Sequence, residues 1–360
     1  MSEISFSRPN MASKLSRHLQ LLKFSYPWIK TPLIVSAPMR VFAGPDLATA
    51  VHRAGGIGFL GPGPKPSDLS SIFEETRQLL NIHNSNSPLP IGIGFQTFDA
   101  DLEIAAKEIE KHRPVAVWLF AARDGQREFD VWIKRIKALA PDTKIWIQVG
   151  SVADAVAAAK APSPPDVLVV QGSDAGGHGL ARGAGIISLL PEIADAISDS
   201  NIPLLAAGGI SDGRGVAAAL HLGAVGTVMG TRFLASTEAK ISKGYQDDVI
   251  RTTDGGQNTV RTALYDELAG RTNWPAIYDG RNIVNRSWID KEAGVDFEEN
   301  KKMYGEASKK GDEGWGPEGR MTAYVGAGVG LVRSVEGASR IVETTRDQAR
   351  TALNEARSLL

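Results

Sequence analysis

Short runs that are apolar along their whole length recur through this chain. Longer stretches separate them, in which apolar residues return every three or four positions. The runs Leu33–Ala37, Gly56–Leu60, Ile91–Phe95, Ala116–Ala121, Lys144–Val149, Val167–Gln171, Leu204–Ala207 and Thr227–Met229 predict strands. Asp101–Lys111, Arg127–Leu139, Val152–Ala159, Ile186–Ile197 and Gly213–Leu222 predict amphipathic helices between them. Strands that lack polar alternation fit a parallel sheet covered on both faces. Eight such strand–helix units predict an α/β protein, a closed TIM (β/α)8 barrel, with a doubly wound open sheet as the alternative.

The rhythm changes after about Ser236. Ala235–Arg251 reads as a helix, and residues 252–320 are richer in charge, glycine and isolated aromatics such as Trp274, Tyr278 and Trp315. A segment this long is rarely structureless in a compact protein. We expect residues 236–320 to form a smaller, mostly helical lid domain over the barrel mouth, with 1–235 and 321–360 forming the barrel. The chain returns through Gly326-Ala327-Gly328-Val329-Gly330 to a final amphipathic helix, Val335–Leu359. That glycine run lacks the spacing and the following βαβ unit of a dinucleotide site, so it reads as a return loop lining the cavity.

Composition narrows the chemistry. With 40 basic and 41 acidic residues, the chain shows no basic excess that would suggest a nucleic-acid partner. There is no cysteine, which excludes disulfides, thiolate metal sites and cysteine nucleophiles. No apolar run is long enough to span a membrane. The first 25 residues carry Arg8, Lys14, Arg17 and Lys23 against a single acid, Glu3. That bias is similar to a mitochondrial presequence, while a solvated lead-in helix in a cytoplasmic protein is the plainer expectation. The C-terminal Arg357-Ser358-Leu359-Leu360 is not a peroxisomal signal.

The strand ends hold the candidate site, because barrel active sites lie where the C-terminal ends of the strands meet. Gly208-Gly209 follows the seventh predicted strand and Gly230-Thr231 the eighth. Consecutive backbone N–H groups there, with the Thr231 hydroxyl, suit a phosphate dianion. Ala37-Pro38-Met39 offers a flat apolar surface for a planar ring, with Gln96 or Gln148 reaching its polar edges. After the sixth strand comes Gln171-Gly172-Ser173-Asp174-Ala175-Gly176-Gly177-His178-Gly179. Of six histidines, only His178 stands just past a barrel strand, which suits a proton carrier. Asp174 either orients its imidazole or caps the following turn. No second ligand at metal spacing accompanies it, so no metal site is expected.

These segments together resemble the nitronate monooxygenases, once called 2-nitropropane dioxygenases. The likeness is strongest at Ser36-Ala37-Pro38-Met39, Gln171–His178, Ala207-Gly208-Gly209-Ile210 and Met229-Gly230-Thr231-Arg232-Phe233. Tyr278-Asp279-Gly280-Arg281 and Gly326–Gly330 resemble the fungal branch. The resemblance implies a barrel with non-covalent FMN at its mouth. Ala37, Pro38 and Met39 would lie beside the flavin ring system. Gly176 and Gly177 would pass its edge, with Gln171 and Ala175 on the same loop, and Gly208, Gly209, Gly230 and Thr231 would hold its phosphate. His178 matches the catalytic histidine. Two positions depart from bacterial members. Gly94, with Gln96 nearby, stands where those carry Asn, and Gln148 stands where some carry Lys.

The implied activity is FMN-dependent oxidation of alkyl nitronates, and of nitroalkanes, by O2 to carbonyl compounds and nitrite. Alternatives on the same barrel are an FMN-dependent enoyl-thioester reductase, a tailoring oxidase acting on a larger metabolite, and a non-enzymatic flavin-binding barrel. The expected partners are a small nitronate or nitroalkane and O2, with neither nucleic acid nor membrane.

Overall fold

The computed structural model describes residues 11–63, 65, 68–84 and 86–358. Part of the presequence-like stretch, including Glu3 and Arg8, and the terminal Leu359-Leu360 lie outside the described residues.

Eight parallel strands close into a barrel in the order β1 (Leu33–Ser36), β2 (Ile57–Leu60), β3 (Leu89–Gln96), β4 (Pro114–Phe120), β5 (Lys144–Val149), β6 (Val167–Gln171), β8 (Leu204–Ala207) and β9 (Gly226–Met229). Leu33 pairs with Gly226 to seal the ring. The closed ring rules out the open doubly wound sheet. The missing polar alternation now has its cause. One set of residues, including Val35, Phe59, Trp118, Trp146, Val169 and Leu205, packs inside the barrel. The intervening set, including Ile34, Leu60, Val117, Ile147, Leu168 and Ala206, packs outward against the helices. Both sets are buried, so both must be apolar. Each such side chain contributes about 1.5–3 kcal/mol by leaving water.

Aromatics fill the barrel interior. The Phe59, Trp118 and Trp146 rings lie 4.9–6.0 Å apart by centroid. The lead-in segment forms a helix, Met11–Ser25, whose Lys14 Nζ reaches the carbonyl of Ser198 in the turn that enters β8. Leu22, Tyr26 and Ile29 join the interior cluster from this side, and Tyr26 Oη accepts a 2.8 Å hydrogen bond from Trp146 Nε1. The expected lead-in helix forms and is largely exposed, with His18 and Leu22 buried, and residues 22–29 cover the N-terminal end of the barrel.

Helix ends follow local chemistry. The predicted Asp101–Lys111 helix is Leu102–His112, started by an Asp101 side chain that accepts from the Ile104 N–H. Gly213–His221 starts on Asp212, which caps Arg214 and Gly215. Two expected helices are shorter than the sequence pattern. Only Lys243–Arg251 of Ala235–Arg251 is helical. The backbone of Thr237 and Lys240 bonds instead to Glu336 and Phe42. The final helix is Ala338–Arg357, because Glu336 N–H is engaged by the Ala235 carbonyl.

Helices predominate in 236–320, yet a sheet joins this segment to the barrel. Strand β7 (Gly177–Leu180) leaves the glycine-rich stretch after β6 and pairs antiparallel with β11 (Tyr278–Ile283). In turn β11 pairs with β10 (Thr259–Thr262). Four residues dense in glycine, Gly177-His178-Gly179-Leu180, read as loop in isolation. They become a strand because β11 supplies the ladder. Among the described residues, no helix is long and apolar enough to cross a membrane.

Candidate active site

A cavity of about 880 Å³ opens over the C-terminal ends of the barrel strands. All the residues singled out from sequence line it: Ala37-Pro38-Met39, Gln96, Gln148, Gln171, Ala175 through His178, Gly208-Gly209 and Gly230-Thr231. Residues 271–274 and Tyr324 of the return segment complete the lining; of these, the sequence had singled out Trp274 as an isolated aromatic but had assigned none of them to the site.

One wall is a backbone cradle. Gly208 and Gly209 turn out of β8 with φ of 105° and 73°, a left-handed conformation that favours glycine. The N–H groups of Gly209, Gly230 and Thr231 donate to no protein acceptor among the described residues. The Thr231 hydroxyl accepts from Gly326 N–H at 2.9 Å, which leaves its own proton to donate. The Gly326–Gly330 run forms a short 3-10 turn packed on this cradle, with no βαβ unit around it. A Cβ at Gly328 would stand 2.7 Å from the Gly209 carbonyl oxygen. Unpaired N–H groups, positive φ and an added hydroxyl fit a phosphate group.

The floor is apolar and backbone-lined. Gly94 lies within β3 beneath Pro38, and a Cβ there would come 2.4 Å from the Pro38 ring. A side chain at 94 is thus incompatible with this placement of Pro38. Gln148 Oε1 accepts from Trp118 Nε1 at 3.1 Å, leaving the Gln148 amide nitrogen for a ligand. Gln96 Oε1 is held by Arg40 at 2.9 Å, and Arg40 also pairs with Asp99. Gln171 differs from expectation in its bonding: its amide donates to the His178 carbonyl at 3.2 Å, so it braces β7.

The glycine-rich segment is fastened from behind by two arginines. Arg261 donates to the carbonyls of Ser173, Ala175 and Gly177, and Arg281 to that of Ser173. Burial, and then the neighbouring Arg281 charge, pull the Arg261 guanidinium down to about 10. Gly176 is required by packing: a Cβ there would lie 2.4 Å from the Val325 carbonyl carbon. Gly177, with φ of 64°, has open space on its Cβ side.

His178 sits on β7 and its side chain is 10% exposed. Trp274 stacks on its ring at 3.6 Å and 5°, and the Tyr324 ring lies 5.3 Å away. The acid beside it is Asp266, whose Oδ2 is 2.7 Å from Nε2. Asp174 instead gives its carbonyl to Ala327 N–H, with its carboxylate beside Gly185 and Gly209. Asp266 comes from the helix Leu264–Leu268, 88 positions along the chain. No spacing rule links it to His178. Burial lowers the His178 pKa from the ordinary histidine value; Asp266 opposes this, and the Arg271 and Arg261 charges add to it. The imidazole is therefore neutral at pH 7, in the form that accepts a proton. Burial and the Asp266 charge hold the Tyr324 phenol well above its usual value, so it stays a donor.

The profile of the nitronate monooxygenase family matches residues 136–344. Nitronate monooxygenase npaC of Metarhizium robertsii is 56% identical over 340 residues, covering 93% of this chain and 95% of that protein. A nitronate monooxygenase of Neurospora crassa is 38% identical, covering 92% of each. Among solved structures, FabK from Thermotoga maritima superposes with a TM-score of 0.73 at 25% identity, covering 94% of this chain and 98% of that one. A nitroalkane oxidase from Streptomyces ansochromogenes shares the fold, with a TM-score of 0.67 at 24% identity and coverage of 94% and 99%. With a family match over more than half its length and a relative this similar end to end, the chain belongs to the nitronate monooxygenase family of flavin-dependent oxidoreductases.

Proposed function

We propose that this protein binds FMN and oxidises alkyl nitronates, and the parent nitroalkanes, with O2 to carbonyl compounds and nitrite. The observation that carries this is the single cavity shared by a phosphate-type cradle, a flat apolar floor and a buried histidine. Gly208, Gly209, Gly230 and Thr231 hold the phosphate. Ala37, Pro38 and Met39 take one face of the ring system, and the Gln96 and Gln148 amides reach its polar edge. Ala175, Gly176 and Gly177 pass beside it. Bound flavin supplies the electron acceptor and the centre that reacts with O2.

The chain's own residues do the rest. For a neutral nitroalkane, His178 takes the α-proton and the electron pair remains on the substrate as the nitronate. For a preformed nitronate no proton need be removed, and a ring that has taken up a proton, its charge offset by Asp266, donates a hydrogen bond to the anion. Trp274, Phe120 and Tyr278 pack together over this side of the cavity and limit water. Residues 236–320, acting as the lid, shape substrate choice.

The test begins with the absorbance of the purified protein and the mass of the flavin released from it. Anaerobic mixing with a nitronate should change the flavin spectrum, and admitting air should produce nitrite. An unchanged spectrum defeats the proposal. Replacing His178 by Asn should lower turnover of neutral nitroalkane by about 10²-fold or more, and turnover of nitronate far less. An enoyl-thioester reductase on the same barrel is the alternative reading that the same flavin spectrum tests. Rapid bleaching of the flavin by NADH or NADPH, with no response to nitronate, would favour that reading.

A further inference from the structure

The contacts around His178 settle which of its nitrogens faces the substrate. We propose that Asp266 is a positioning residue that keeps the imidazole proton on Nε2, so that Nδ1 is the nitrogen that meets the substrate. The chemistry of this step rests on the function proposed above; the arrangement itself does not.

Asp266 is almost completely enclosed, with 7% of its side chain exposed. Its two oxygens receive donors from different elements. Oδ1 accepts from Tyr324 Oη at 2.8 Å and lies 3.4 Å from Arg271 Nε. Arg271 also donates to Tyr324 Oη at 2.9 Å, and its backbone N–H is bound by the Asp266 carbonyl at 2.7 Å. A carboxylate supplied with a phenol and a guanidinium on one oxygen is an acceptor. The remaining oxygen, 2.7 Å from Nε2, then requires that Nε2 carry the proton. In a neutral imidazole this leaves the lone pair on Nδ1.

Trp274 lies flat against one face of the ring at 3.6 Å and fixes its plane, while the 2.7 Å contact to Asp266 fixes which edge carries Nε2. Nδ1 has no protein partner among the described residues, and it is not among the sealed, unpartnered polar atoms. It therefore faces the cavity. The charged or titratable groups around the ring are Asp266 from its short helix, Arg271 from the following loop, Arg261 from β10 and Tyr324 from the return segment. In the proton step, the substrate C–H bond breaks, its electron pair stays on the nitronate, and Nδ1 takes the proton. The imidazolium is then held between the Asp266 carboxylate and the Trp274 face.

The experiment is nitrogen-15 NMR of the FMN-loaded protein labelled at histidine, with His178→Asn used to assign the signal. At neutral pH the His178 shifts should show a protonated Nε2 and a bare Nδ1. Asp266→Asn can offer its amide N–H to the ring, which should move the proton to Nδ1. In that variant kcat/KM for a neutral nitroalkane should fall by about 10²-fold or more, and its acid limb should move to lower pH. Nitronate turnover, which needs no proton removed, should fall far less, and Asp266→Glu should recover part of the loss. A wild-type signal with the proton on Nδ1, or an Asp266→Asn protein with unchanged tautomer and pH profile, overturns the inference. Wild-type enzyme inert toward nitronate would instead overturn the proposed function, and the NMR result would still decide the role of Asp266.

Discussion

A methyl group at position 208 has nowhere to go. It would stand 2.9 Å from the Gly172 carbonyl oxygen, on a backbone with φ of 105°. Gly208→Ala should therefore cost about 1–2 kcal/mol in backbone strain and tilt the unpaired N–H groups beside it. We expect weaker FMN retention, measured by the flavin released on desalting, with the far-UV circular dichroism unchanged. Single residues differ in how far sequence reveals them. His178 and the two glycine pairs stand at predicted strand ends, so residue type and place agreed. Asp266 gave no such signal, since it lies on a five-residue helix after β10 and meets His178 through the pairing of β10 with β11 and of β11 with β7. Gln171 stood in the right place, but its bond to the His178 carbonyl depends on a strand that the sequence does not announce.

At the scale of elements, the helix Met11–Ser25 carries a testable consequence. His18 is 3% exposed, and its Nε2 has no partner. Burial, and then the Lys14 and Arg17 charges, lower its pKa to about 4. In the unfolded chain it titrates near 6.5. Between these values the unfolded state binds the additional proton, so stability falls as pH drops from about 6.5 toward 4. His52, His112 and His178 are also shifted downward, so the whole protein should lose stability in acid. His18→Leu should make the fall in melting temperature across this window shallower than in wild type, as read by thermal melts at a series of pH values. An unchanged slope would mean that His18 is not buried as a neutral ring. The same element shows what a charge bias leaves out: it does not say which side chains of a lead-in helix, here His18 and Leu22, are covered. The shortened helix Lys243–Arg251 has the opposite cause, since distant carbonyls capture the backbone that the pattern would have coiled.

For the whole molecule, the cavity is lined both by barrel strand ends and by residues within 270–274 and 324–328, so a bound cofactor should tie these parts together. FMN at 100 times its Kd should add about 2.7 kcal/mol of stability, seen as a rise of a few degrees in Tm when flavin-free protein is refilled. Riboflavin, which lacks the phosphate, should raise Tm much less. Equal stabilisation by the two would count against the glycine cradle. The barrel itself was legible because both faces of every strand are buried, and that requirement writes an apolar code into eight short runs. Strand-end chemistry was legible for a related reason, as one fold brings all those ends to one face. The three-stranded sheet, the arginines behind the glycine segment and the Asp266–His178 contact were not. Each joins residues tens of positions apart, and hydrogen bonds between such partners leave no period in the chain. Local preference and burial thus specified from sequence which strand ends, and which histidine, come to line one cavity. Only tertiary packing decided which acid faces that histidine, and hence which of its nitrogens is open to the cavity.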